Sequence, residues 1–95
     1  MLGMKEDVEA ALAQATTTIG AHLREGRKRR FPGDTQDDFA RRVGVSRYTY
    51  QKMERGEPGV AMGSYLRAAE LLGVLDAVAA AFQPPAPSLF ERSLD

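Results

Sequence analysis

Apolar positions in the first third of the chain recur at helical spacing. Val8, Leu12 and Ala15 share one face, alanines fill the gaps, and Glu6, Asp7 and Glu9 sit near the start, where a helix dipole favours acids. This predicts a helix over Met4 to Ala15. Thr16, Thr17 and Thr18 follow; threonine is stiff at χ1 and a good N-cap, so the pattern places a break or a fresh helix start there, with one continuous helix as the alternative. Ile19 and Leu23 mark the inward face of the next helix, which runs to Arg30 and ends in the basic cluster Arg27 to Arg30. Gly26 stands where a third core residue is due, weakening the helix by about 1 kcal/mol relative to alanine. A large neighbour (Phe31, Tyr50 or Tyr65) is expected to occupy the space it leaves.

Phe31-Pro32-Gly33-Asp34 reads as a turn, with Phe31 folded back to the core. Thr35 then caps a short helix, Gln36 to Val43, with Phe39, Ala40 and Val43 on one face and Gly44 as its stop. Ser46 caps a second, Arg47 to Arg55, whose inward residues are Tyr50 and Met53, supported by Val45. Gly56-Glu57-Pro58-Gly59 ends it. Met62, Tyr65, Leu66, Ala69 and Leu72 form a further helical stripe closed by Gly73, and Leu75, Val78 and Phe82 continue as a short apolar helix. Gln83 to Pro87 must be extended because of its prolines. A tail with Leu89, Phe90 and Leu94 follows. No strand pattern or internal repeat is present. The expected organisation is an N-terminal helical extension over 1–18, an all-α domain over 19–82 and a Pro-rich tail over 83–95.

Composition narrows the function. The chain has 95 residues, 43% of them hydrophobic, enough for one small domain. It has no cysteine, so disulfides and thiolate metal sites are excluded, and the single His22 has no ligand spacing around it. No apolar run is long enough to span a bilayer, and the charged start does not suit a signal peptide. The default expectation is a soluble cytoplasmic protein. Net charge is zero, yet residues 21–55 hold ten Lys/Arg against five acids and so carry +5, balanced by −5 elsewhere. A basic middle in a neutral chain points to a local polyanion-binding face.

That face coincides with the most demanding pattern in the chain, TQDDFARRVGVSRYTYQKMERG from Thr35 to Gly56. A small residue, Ala40, falls where two helices would cross closely; Gly44 falls at the turn four residues on; apolar residues at 45, 50 and 53 pin the second helix against the first. Two short helices crossing steeply through a tight turn need this set together. The second helix then offers Arg47, Tyr48, Gln51 and Lys52 outward. An α-helix fits the B-DNA major groove; Arg and Lys suit guanine O6/N7, Gln suits adenine, and Tyr can reach a thymine methyl. Thr35 and Gln36 begin the preceding helix, where free N–H groups favour a phosphate. The candidate DNA-contacting set is Thr35, Gln36, Ser46, Arg47, Tyr48, Thr49, Gln51, Lys52 and Arg55. No nucleophile–base set, phosphate-cradling loop or metal-ligand cluster suggests an enzyme.

Ile19 to Val74 resembles the Xre/Cro/CI-type helix-turn-helix of phage repressors and bacterial regulators. IGAHLREGRK, the Thr35–Gly56 stretch and SYLRAAELLGV carry the likeness. The resemblance implies a five-helix lambda-repressor-like DNA-binding domain, here with an extra N-terminal helix and an extended C-terminal tail. It implies that Ser46 to Arg55 enters the major groove, that Gln36 contacts backbone phosphate, and that Arg47, Tyr48, Gln51 and Lys52 read bases. It also implies a buried structural pair between a first-helix arginine and Glu54. That arginine maps to Arg27, with Arg29 as the alternative because the link between the first two helices is about two residues long beyond the usual turn. Two departures stand out: Gly26 replaces an aliphatic residue, and Tyr50 replaces Ile or Val. The expected function is a sequence-specific transcriptional regulator of the nucleoid, a repressor that binds a palindromic operator as a homodimer and needs no cofactor. GEPGVAMGSYLRAAELLGVLD is also similar to the matching segment of HipB-type antitoxins, which implies the alternative of an autoregulating antitoxin with a toxin protein as partner.

Overall fold

The computed structural model describes the backbone of residues 2–86 and the side chains from residue 3. The expectations for Leu89, Phe90 and Leu94 lie outside the described residues. Five helices follow one another: α1 Leu2–Arg30, α2 Gln36–Val43, α3 Arg47–Arg55, α4 Met62–Leu71 and α5 Leu75–Ala79. There is no strand among the described residues.

The largest difference from the sequence reading is α1. The threonines do not break it; the helix runs through them for 29 residues, about 43 Å at the usual rise. The Thr16 hydroxyl turns back and donates to the carbonyl of Ala13 at 3.0 Å. A threonine bonded in this way is satisfied inside a helix and has no need to act as a cap. The expected separate N-terminal helix is therefore the first half of α1. The buried residues of α1 all lie in its second half: Gly20 and Arg27 meet α3, and Leu23 joins the core, while the partly buried Gly26 is packed by Leu72. Gly20, Leu23 and Arg27 lie to one side of Ile19, which was expected inside and is 49% exposed.

α2 and α3 form as the pattern requires. Thr35 and Asp38 make a reciprocal capping box, with Asp38 N–H donating to the Thr35 hydroxyl at 3.1 Å and Thr35 N–H to the Asp38 carboxylate at 3.0 Å. The Thr35 bonds, led by the one from its backbone, hold the Asp38 carboxyl below its ordinary value. Gly44 ends α2 at φ 88°, a left-handed conformation that L side chains rarely adopt. Arg67 of α4 donates from Nε to the carbonyl of Val43 at 2.8 Å, closing the same helix end from outside.

The core sits between these helices. Tyr50, Phe39, Met53 and Val43 are its largest fully buried side chains, each contributing about 1.5–3 kcal/mol by leaving water. The Phe39 ring lies between Phe31, at 5.4 Å, and Tyr50, at 5.2 Å, tilted to both. The space at Gly26 is filled by Leu72, not by an aromatic ring: a Cβ on Gly26 would lie 2.9 Å from Leu72 Cδ1. α4 presents Ser64, Ala68 and Ala69 to the core, small residues that let it lie close, whereas Met62 is 67% exposed and outside the packed stripe. α5 stops at Ala79, short of Phe82. Ala81 and Gln83 donate to carbonyls three residues back, Val78 and Ala80, a tightening that winds the helix out before Pro84.

Candidate nucleic-acid interface

α3 is held rigidly from behind. Arg27 of α1 grips Glu54 in a fork: Nε donates to Oε2 at 2.7 Å and Nη2 to Oε1 at 3.2 Å. The two side chains are 9% and 4% exposed, so this charge pair is screened little by solvent. The third donor of Arg27, Nη1, reaches the carbonyl of Asp34 at 3.1 Å. One guanidinium thus ties α1 to α3 and to the turn before α2. Arg29, the alternative partner, instead pairs with Glu25 on the exposed face of α1 at 3.0 Å. Burial alone would raise the Glu54 carboxyl, but the Arg27 guanidinium, the nearby Tyr50 hydroxyl and the Gln36 amide together outweigh it and hold the group below its ordinary value.

Gln36 continues the network outward. Its Nε2 donates to Glu54 Oε1 at 2.9 Å, and its Oε1 accepts from Gln51 Nε2 at 3.2 Å. The side chain at the start of α2 is therefore bonded to α3 on both of its polar ends, leaving one amide hydrogen for a further acceptor. Gln51 is correspondingly oriented by a bond from α2, with its carbonyl oxygen and one N–H unspent.

Two of the predicted contact residues serve the cap of α3. The Ser46 hydroxyl accepts from Thr49 N–H at 3.0 Å and donates to the Thr49 hydroxyl at 3.1 Å. Thr35 is engaged in its own capping box. Arg55 pairs with Glu57 at 2.8 Å, where α3 gives way to the following loop. Arg47 and Tyr48 stand open on the first turn of α3, both exposed, Tyr48 at 66%. Lys52 lies one turn on, its ammonium 5.1 Å from the centre of the Tyr48 ring, a cation–π distance that groups the two side chains. The structure thus leaves Arg47, Tyr48, Gln51 and Lys52 together on one face of α3, and draws Thr35, Ser46 and Thr49 into local capping.

Two supporting arginines were not singled out from the sequence. Arg42 binds Asp34 through two bonds, 2.6 and 3.1 Å, and lies 4.5 Å over the Phe31 ring, fixing the turn that leads into α2. Arg67 fixes the end of α2, as described. Asp34 precedes a capped helix and could have been suspected of binding a helix arginine; nothing in spacing marks Arg67, whose acceptor is a backbone carbonyl 24 residues away.

A short helix, a left-handed glycine turn and a second capped helix locked by a buried charge pair, with four polar or basic side chains left outward, define a helix-turn-helix DNA-binding unit. The chain belongs to that family: the family model described as Helix-turn-helix domain matches residues 18–82. Comparison with curated proteins and with solved structures gave no match. The family match begins midway along α1, near the point where that helix first meets α3. Among the described residues no helix is long and apolar enough to cross a membrane.

Proposed function

We propose that the chain is a sequence-specific transcriptional regulator of double-stranded DNA, a repressor that binds a palindromic operator as a homodimer at the nucleoid. It binds and does not catalyse. The observation that carries this reading is the grouping of Arg47, Tyr48, Gln51 and Lys52 on the outer face of a helix anchored by Arg27, Glu54 and Gln36. Anchoring matters because base-edge bonds discriminate only when their donors are held in place. On this reading α3 lies in the major groove, Arg47 and Lys52 take guanine edges, and Gln51 takes adenine. The spare Gln36 amide hydrogen and the N–H groups opening α2 meet a phosphate. One such helix reads few base pairs, and a two-fold pair of copies is the simplest route to adequate specificity.

A gel-shift with DNA from upstream of the gene, against a scrambled duplex of equal length, tests the reading. Selective retardation by a complex containing two protein copies is the expected result; equal affinity for both duplexes counts against it. The antitoxin alternative adds a protein partner to the same DNA-binding role and predicts co-purification with a kinase-like toxin encoded beside this gene.

A further inference from the structure

The first half of α1 buries none of its described side chains. Residues 3–15 are all exposed, and just beyond them the backbone of Thr16 lies against Gly56. Yet this arm is not polar all round. Met4, Val8, Leu12 and Ile19 are 76, 54, 56 and 49% exposed along one stripe. Val8, Leu12, Ala15 and Ile19 follow one another at intervals of four, three and four, the seam spacing of two-helix pairing. Seven residues beyond Ile19 the stripe reaches Gly26, and there Leu72 of the same chain lies against it. The chain covers its own stripe at Gly26 and leaves it open from Ile19 back to Met4. This open part falls almost wholly before residue 18, where the helix-turn-helix match begins.

We propose that the open stripe of α1, from Met4 to Ile19, pairs antiparallel with the same stripe of α1 in a second copy of this chain. Charge sets the direction. Residues 2–15 carry −2 and residues 16–30 carry +4. A parallel pair would place like ends together, whereas an antiparallel pair with Leu12 opposite the partner's Ala15 sets Arg24 of each helix within about one turn of the acids Glu6 and Asp7 of the other. Side-chain size agrees. A parallel seam faces Leu12 with Leu12 and Ala15 with Ala15, one crowded layer and one void. An antiparallel seam faces Leu12 with the partner's Ala15 and Val8 with the partner's Ile19, giving layers of similar volume. The inference rests on the two-copy part of the reading above and on nothing about which DNA is bound.

The test uses the full chain without DNA. Sedimentation equilibrium should show a dimer for the wild type and a monomer for Leu12→Glu, with the circular dichroism and thermal midpoint of the separate domain retained, since Leu12 is 56% exposed and lies outside the buried core. The chain has no cysteine, so single cysteines report direction. A mixture of Val8→Cys and Ile19→Cys proteins should form a mixed disulfide many-fold faster than Val8→Cys alone forms its own. If Leu12→Glu stays dimeric, the copies meet elsewhere; the inference falls and the two-copy reading stands. A wild type that stays monomeric at its highest soluble concentration overturns the inference, and the mass of the gel-shift complex then decides whether the two-copy reading falls with it. Preferential self-linking of Val8→Cys overturns the antiparallel arrangement.

Discussion

Gly20 of α1 and Gly56 at the end of α3 meet backbone to backbone. A Cβ on Gly20 would lie 2.8 Å from the Gly56 nitrogen and 2.9 Å from the Glu54 carbonyl carbon; one on Gly56 would lie 2.7 Å from Thr17 Cα and about as close to Thr16. Neither neighbour is a side chain that can swing away. Gly56 also has φ 78°, so an alanine there meets both a clash and a strained backbone. Gly20→Ala should therefore destabilise the domain by about 1–3 kcal/mol despite the better helix propensity of alanine, and Gly56→Ala by at least as much. Gly33→Ala, where nothing lies within 4 Å, is the control. Urea unfolding of the three variants checks the order.

The Arg27–Glu54 pair predicts an acid sensitivity with a definite sign. The Glu54 carboxyl is depressed in the folded chain. Its contribution is therefore complete above the ordinary carboxylate pKa of the unfolded chain and is lost as pH falls through the lower folded value. Glu54→Gln strands the Arg27 charge and should cost about 3–5 kcal/mol at neutral pH. The gap between wild type and Glu54→Gln in urea unfolding should narrow steadily below the ordinary carboxylate range. A gap that stays constant into strong acid would mean that the pair contributes nothing through charge.

Tyr50 tests how much of this network is packing. Its ring is fully buried, but its hydroxyl, beside Glu54 and Arg27, has no hydrogen bond of acceptable geometry. Burial first, then the Glu54 carboxylate, keep the phenol protonated far above its ordinary range. Removing an unsatisfied buried hydroxyl is nearly neutral. Tyr50→Phe should thus shift stability by less than about 1 kcal/mol, whereas Tyr50→Ala should cost about 3–5 kcal/mol through the cavity. Differential scanning calorimetry separates the two.

The contrast between Tyr50 and Ile19 shows how far the sequence could be read. Inside the short helices, burial follows directly from spacing and from strong stop signals: Thr35, Gly44, Ser46 and Gly56 bracket α2 and α3, and Phe39, Ala40, Tyr50 and Met53 fall inward as their periodicity requires. Along α1 the apolar spacing was real but its destination was not legible. Ile19 continues the stripe of Val8 and Leu12, yet α3 packs on the neighbouring strip through Gly20, a residue without a side chain to signal burial. Thr16 shows a related effect: its capping preference is local, and its hydrogen bond to the Ala13 carbonyl satisfies the hydroxyl equally well. At the candidate interface, residue types located the outward face of α3, but only three-dimensional geometry could show that Gln36 is bonded to Glu54 and Gln51, or that Ser46 and Thr49 bond each other.

That division of labour gives the DNA-binding prediction its form. Arg47 and Lys52 project from α3 without taking part in the core, so Arg47→Ala and Lys52→Ala should leave helical content and unfolding midpoint unchanged. Each should weaken binding to the selected duplex by about 1–3 kcal/mol, roughly five- to 150-fold. Base reading and phosphate attraction leave different marks. A base contact lowers affinity for the selected duplex more than for a scrambled one. A phosphate contact lowers both alike and reduces the slope of log affinity against log salt by about one. Arg47 and Lys52 are expected to show the first pattern. Gln36→Ala, which removes a bond to Glu54 and the support of Gln51, should instead lower stability and selective binding together. Fluorescence anisotropy with both duplexes over a salt series distinguishes the cases, and equal losses on the two duplexes for Arg47→Ala and Lys52→Ala would remove both residues from the reading face.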